Sequence, residues 1–161
     1  MLKTNYKNFL INAGIVLTIF LIDRISKIYI LKLAEQENGL DIYIVDYLNL
    51  YLIWNKGIAF GLLSFGERNL YNIITGLIIL VTIIVIYFAI KAKGIEKYSF
   101  MMICGGSIGN IFDRLFYQAV PDFIDIHYEN FHWFIFNVAD IFITLGVFLL
   151  IFREFGLKIK N

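Results

Sequence analysis

The chain has 161 residues, a formal net charge of +1 and 60% hydrophobic residues, where a soluble domain holds about 45–50% apolar residues. Near-neutral charge without a basic run excludes a phosphate-tracking surface, so no nucleic-acid partner is expected. The single cysteine, Cys104, excludes an internal disulfide and a cysteine metal cluster. The length suits a single domain over residues 1–161, and no low-complexity segment or internal repeat divides it.

The first apolar stretch, residues 9–31, has the length of a membrane span of about 20 residues. A cleaved signal peptide would have a shorter apolar region followed by a small-residue cleavage site, and neither is seen. Asp23 and Lys27 interrupt the stretch at i, i+4, acid first, so they can pair along one helix face. From Leu40 the pattern becomes β-like, with Tyr43, Val45 and Tyr47, then Leu48, Leu50 and Leu52, in alternation. An outer β segment over about 40–66 is expected, lying as a small sheet on the membrane surface. Asn55-Lys-Gly57, Ala59-Phe60-Gly61 and Gly66 mark turns or bulges in it.

Residues 71–90 carry no charge and are the plainest span. A third span covers about 98–117 and holds Gly105, Gly106, Gly109, Asn110, Asp113 and Arg114; Gly105 and Gly109 form a small-xxx-small pair that permits close helix approach. Residues 119–133 read as an outer connection, with a possible short hairpin turned at Glu129-Asn130. A fourth span covers about 134–152. The expected fold is therefore a mainly α membrane protein of four transmembrane helices with a small extracytoplasmic sheet. Lys3, Lys7, the Lys91–Lys97 cluster, Arg153, Lys158 and Lys160 fall on one side, which makes both termini cytoplasmic.

At about 1.5 Å per helical residue, Asp23 lies about 20 Å from Leu10, Asp113 about 21 Å from Ser99, and Asp140 about 18 Å from Phe152. Three ionisable groups on three spans thus share one depth, near the outer edge of a hydrocarbon core about 30 Å thick. Ionisable groups so placed default to a functional site. Asp122 follows Pro121, the only proline, which removes a backbone donor and biases Val120 away from helix. Span three should end there, with Asp122 on an irregular segment at the membrane lip. Asp140 opens the last span, with Asn137 at i−3 on the same face. Two close carboxylates in a low-dielectric site share a proton, as in aspartic proteases. One then accepts a proton from water while the other polarises a carbonyl or protonates a leaving amine.

Bland readings compete. Asp140 could pair with Arg114, and Asp23 with Lys27. Asp113 reads as part of a supporting ion pair or polar network with Arg114 and Asn110, Asp125 as a solvated loop carboxylate, and Asp41 and Asp46 as sheet-edge charges. Cys104 lies about 14 Å deeper than Asp113, with no histidine at its level. His127 and His132, with Asp125 and Glu129 near, give only an i+5 spacing in a loop, and no metal is assigned. A small transporter or ion pathway would also carry intramembrane charges, but the second and fourth spans lack a polar stripe. A non-catalytic membrane assembly factor would use the charges only to fasten helices.

Five motifs carry a resemblance to a known family: Asp23-Arg-Ile-Ser-Lys27, Asn55-Lys-Gly-Ile-Ala-Phe60, Gly105-Gly-Ser-Ile-Gly-Asn-Ile-Phe-Asp-Arg114, Val120-Pro-Asp-Phe123 and Phe136-Asn-Val-Ala-Asp140. In order, spacing and placement they resemble bacterial lipoprotein signal peptidase, or signal peptidase II. The resemblance implies an aspartyl endopeptidase of the cytoplasmic membrane, facing the outer side and in contact with membrane lipid; the sequence does not fix its oligomeric state, and a monomer is the default. Its substrates would be lipoprotein precursors carrying diacylglyceryl on a cysteine, cut just before that cysteine. It implies Asp122 and Asp140 as catalytic residues and no cofactor. Asp23, Lys27, Asn55, Gly57, Gly105, Asn110, Arg114, Asn137 and Ala139 fall on positions of site structure or substrate contact. Gln118 stands where a glycine is common, and Pro121 where a small or β-branched residue is usual; both bear on the path of the 118–122 turn.

Overall fold

The computed structural model describes residues 2–37, 39–57, 68–129 and 131–158. Their elements are α1 (Leu2–Gln36), β1 (Asp41–Val45), β2 (Leu48–Asn55), α2 (Arg68–Lys91), α3 (Gly94–Tyr117), β3 (Val120–Tyr128), β4 (Phe131–Phe136) and α4 (Val138–Lys158). The chain is thus mainly helical, with a four-stranded antiparallel sheet in the order β1-β2-β3-β4. Two helical stretches, Phe9–Gln36 and Asn69–Lys91, are long and apolar enough to cross a membrane.

The distribution of side chains is inverted relative to a soluble protein. Ile25, Ile73, Ile90, Leu115 and Phe152 are each at least 65% exposed, while Asp23, Lys27, Asp113 and Asn137 are wholly buried. Such apolar outer surfaces need an apolar surrounding, and the buried ions need each other. Close packing lets them meet. A Cβ on Gly105 would sit 2.8 Å from Ile19 of α1, and one on Gly109 would sit 2.6 Å from the Asp23 carboxylate. Both positions therefore exclude any larger residue while α1 and α3 keep this separation.

The sheet extends from the helices through a small apolar cluster of Ile30, Leu40 and Phe123. The expected outer β segment is present as β1 and β2, while Ala59, Phe60, Gly61 and Gly66 fall outside the described residues, as does Asn130 of the expected hairpin turn. Two boundaries differ from the sequence reading. Residues 134–136 do not begin the last helix: Phe134, Ile135 and Phe136 pair with Ile126, Asp125 and Ile124 of β3, so α4 starts only at Val138. An apolar Phe-Ile-Phe run is ambiguous between strand and span, and its partner strand decides. Likewise Asp122 lies within strand β3, opposite Ile53 of β2 and next to a register shift between the Leu50 and Ile53 pairs, rather than on a segment without strand pairing. The turn before it is set by Gln118, which caps α3 in the left-handed region at φ +57°. That conformation explains why glycine suits the position, and glutamine adopts it at a cost of about 1–2 kcal/mol.

Candidate active site

The site forms where the sheet-side halves of α1 and α3, the start of α4 and the ends of β2 and β3 converge. Its base is a group of four buried charges. Lys27 of α1 lies 2.9 Å from Asp23 and 2.6 Å from Asp113 of α3, and donates to Asn110 Oδ1 at 3.0 Å. Arg24 lies 2.9 Å from Asp23 and 2.6 Å from Asp113. Two cations thus meet two carboxylates, so the group is neutral as a whole and the desolvation of each ion is offset by its neighbours. Asp23 also accepts the Ala139 N–H at 3.1 Å, which ties α1 to the first turn of α4.

Above this base sit the two aspartates. Asn137 is the residue before α4, and its Oδ1 accepts the Asp140 N–H at 3.2 Å while Asp140 Oδ2 accepts the Asn137 N–H at 3.1 Å. This reciprocal pair is a capping box. It fixes the Asp140 carboxylate, whose other oxygen accepts Asn110 Nδ2 at 2.8 Å. The remaining group of Asn137, its Nδ2, donates to Asp122 Oδ1 at 2.6 Å. Asn55 Nδ2 donates to Asp122 Oδ2 at 2.8 Å. Both aspartates are buried. Burial, then the negative charge of Asp140, push the Asp122 carboxyl up to about 6, against the opposing hydrogen bonds from Asn137 and Asn55.

A second layer holds the β2 end in place. Gly57 N–H donates to Asn55 Oδ1 at 2.8 Å, and Arg114 donates to the Gly57 carbonyl at 2.9 Å and to the Asn110 carbonyl at 3.2 Å. Tyr71 of α2 donates to the Arg114 carbonyl at 3.1 Å. On the side facing α4, Asp140 opens onto an apolar groove of about 260 Å³ lined by Phe136, Ile141, Thr144, Leu145 and Phe148.

The structure therefore brings together Asp23, Lys27, Asn55, Gly57, Asn110, Arg114, Asp122, Asn137, Ala139 and Asp140. Gly105 lies apart from them, at the packing contact with Ile19 and the Val16 carbonyl. Arg114 hydrogen-bonds carbonyls rather than Asp140. Asp113 is a supporting ion, but its partners are Lys27 and Arg24. Asp125 is not a solvated loop carboxylate: it is buried on β3 and bonded to His132 at 2.8 Å. Sequence reasoning overlooked Arg24, although an arginine within an apolar stretch beside Asp23 was a sufficient signal. It also overlooked Gly109 as the position that admits the Asp23 carboxylate, and Tyr71.

A family model described as "Signal peptidase (SPase) II" matches residues 15–156. The chain belongs to the signal peptidase II family. This family member is a protease, and its similarity to curated relatives spans nearly the whole chain. It is 57% identical over 154 residues to the lipoprotein signal peptidase of Pelagibacter ubique (strain HTCC1062), covering 96% of this chain and 93% of that protein. It is 35% identical over 161 residues to the lipoprotein signal peptidase of Rickettsia conorii (strain ATCC VR-613 / Malish 7), covering 98% and 79%. A solved structure described as "Bacterial membrane enzyme structure by the in meso method at 2.3 A resolution" superposes with a TM-score of 0.72 at 27% identity, covering 90% of this chain and 87% of that one. Membership in a peptidase family removes the transporter and assembly-factor readings.

The four-charge base makes a direct prediction about this peptidase. Lys27→Met keeps the length of the side chain but leaves Asp23 and Asp113 with a single cation between them. Stability in detergent should fall by about 3–5 kcal/mol, read as a lowered melting temperature or loss of folded yield. A melting temperature equal to wild type would mean that the ions do not hold α1 against α3.

Proposed function

We propose that Asp122 and Asp140 are the catalytic pair of a lipoprotein signal peptidase that cleaves lipid-modified precursors just before the lipidated cysteine. The observation that carries this reading is the single buried side chain, Asn137, bonded to both aspartates. It holds two carboxylates that cannot both ionise easily, so the pair shares one proton. The ionised carboxylate accepts a proton from water as the water oxygen attacks the scissile carbonyl carbon. The protonated carboxyl donates to the carbonyl oxygen and stabilises the tetrahedral diol. A proton then passes to the departing amine, the C–N bond breaks, and the lipidated cysteine leaves as a new N-terminus. No covalent enzyme intermediate and no cofactor enter these steps.

The substrate is a precursor carrying diacylglyceryl on its cysteine, and it enters laterally from the bilayer. Support comes from the apolar groove that leads from the α4 face to Asp140, and from the exposed apolar helix surfaces. The outer strands and the turn at Asn55–Gly57 cover the scissile bond and restrict water around it.

The enzyme sits in the bacterial cytoplasmic membrane, with α1 to α4 all crossing, both termini cytoplasmic and the aspartates near the outer surface. The lysines at the α2–α3 connection and Arg153 lie at the end of the bundle remote from the sheet. Glu96 and Arg153, 2.7 Å apart, join α3 to α4 there, and the excess of basic residues on this side sets its direction. In a Cys104→Ser background, Glu37→Cys should react with a membrane-impermeant thiol reagent applied to the outer face of intact cells. Reaction only after the cytoplasmic face is opened would reverse the orientation.

The catalytic assignment predicts that Asp122→Asn and Asp140→Asn each reduce turnover of a lipidated precursor peptide by several orders of magnitude. The double variant should be little worse than either single one, because the two carboxylates act together. Substrate binding should survive in all three. Because the Asp122 carboxyl beside the charged Asp140 is pushed up to about 6, the pair takes up its one shared proton near that pH, and activity should fall as pH rises above about 6 and both carboxylates ionise. Near-normal cleavage by either single variant would remove that aspartate from the reaction.

A further inference from the structure

Three chemistry-bearing side chains on the outer hairpin take no part in the peptidase site. Asp125 and His127 alternate on β3 and are both buried, and His132 lies on β4. His132 Nδ1 lies 2.8 and 3.0 Å from the two Asp125 oxygens. His127 Nδ1 lies 3.7 Å from Asp125 Oδ2. One ligand atom from each of the three residues falls within 4.8 Å of the others. Ligand atoms about 2.0–2.2 Å from a tetrahedral ion stand roughly 3.3 Å apart, between the two carboxylate–imidazole distances of 2.8 and 3.7 Å.

The hairpin is shaped to create this arrangement. In an unbroken ladder the pairs Asp125–Ile135 and Ile126–Phe134 would continue with His127 opposite Trp133. Instead the register shifts between Ile126 and His127, and His127 stands opposite His132. The extra residue on β4 is a β-bulge, which re-aims a side chain. It leaves Trp133 exposed and stacks the two imidazoles 5.2 Å apart at 28°, against the same carboxylate.

A hydrogen bond from His132 to Asp125 explains only two of the three residues. It leaves His127 Nδ1, on a side chain about nine-tenths buried, with no hydrogen-bond partner among the described residues. Asn49 Oδ1 is likewise buried and without a hydrogen-bond partner among them. Asn49 is the β2 partner of Asp125, and it lines a cavity of about 390 Å³ together with Asp125 and His132. Unsatisfied buried acceptors around a carboxylate are costly unless a cation joins them.

We propose that Asp125, His127 and His132 bind a divalent transition ion of the Zn²⁺ class, separate from the catalytic pair. Two imidazole nitrogens and one carboxylate oxygen form a three-ligand set for such an ion, with the remaining position left to water. The ion would staple β4 to β3. Those strands lead respectively to Asn137 and Asp122, so the site would stiffen the frame of the aspartates without entering their chemistry.

The test uses tag-free, chelator-stripped full-length protein in detergent, titrated with ZnCl₂ alone by calorimetry. Wild type should bind one ion per chain and melt at a higher temperature when loaded. His132→Ala, which also removes the hydrogen-bond partner of the buried Asp125, should lower the metal-free melting temperature somewhat, bind about 100-fold more weakly and show no further rise in melting temperature at the ZnCl₂ concentration that saturates wild type. His132→Cys should recover most of the affinity, because it replaces one ligand with another. Asp125→Asn should weaken binding as well. Absence of saturable one-to-one binding by wild type would overturn the proposal. Undiminished affinity in His132→Ala would do the same, by placing the ion elsewhere.

Discussion

The site depends on one side chain with more than one task. Asn137 follows β4, caps α4 and bridges the two aspartates. Its backbone N–H and Oδ1 form the capping box with Asp140, and its Nδ2 reaches Asp122. Asparagine suits this position because its amide carries an acceptor and a donor on one planar group. The acceptor is spent on the helix terminus and the donor on the second carboxylate. Serine, threonine or aspartate would cap the helix equally well but offer no amide N–H to Asp122. The distance between the aspartates is thus set by the geometry of a helix N-terminus, a rigid element, rather than by a loop.

This arrangement survives burial because the charges beneath it are neutralised as a group. Asp23, Arg24, Lys27 and Asp113 form a closed set of two anions and two cations, and Gly109 gives the Asp23 carboxylate room to lie against α3. The same Asp23 accepts the Ala139 N–H, one of the free donors at the start of α4. Helix packing, ion pairing and the positioning of α4 are therefore one interaction seen from three sides. An aspartate needs such a frame to retain a raised proton affinity; in open water neither burial nor a neighbouring charge would perturb it appreciably.

Much of this was legible in the sequence. Asp23, Asp113 and Asp140 share a depth because helical rise converts residue count into distance, and the polar residues cluster as that argument requires. The motifs also carried the family. Asp122 on a strand, Phe134–Phe136 in β4 and the late start of α4 were not legible, because alternation and apolar runs do not name a partner strand. The grouping of Asp125, His127 and His132 was hidden for the same reason: an i+5 spacing is weak in a loop and strong across a bulged hairpin. Arg24 did not stand out as a site residue because Asp23 and Lys27 already balance as an i, i+4 pair, and its second partner, Asp113, lies on another helix.

The central claim is that Asn137 holds both carboxylates in the geometry that turns over substrate, and Asn137→Ala tests it most directly. Single-turnover cleavage of a lipidated precursor peptide should be measured beside peptide affinity and melting temperature. Loss of the cap should lower stability by about 1 kcal/mol, while the cleavage rate constant should fall about 100-fold or more from misplaced carboxylates, with affinity unchanged. A cleavage rate within a few-fold of wild type would show that the aspartates find their geometry without Asn137, and would contradict the account.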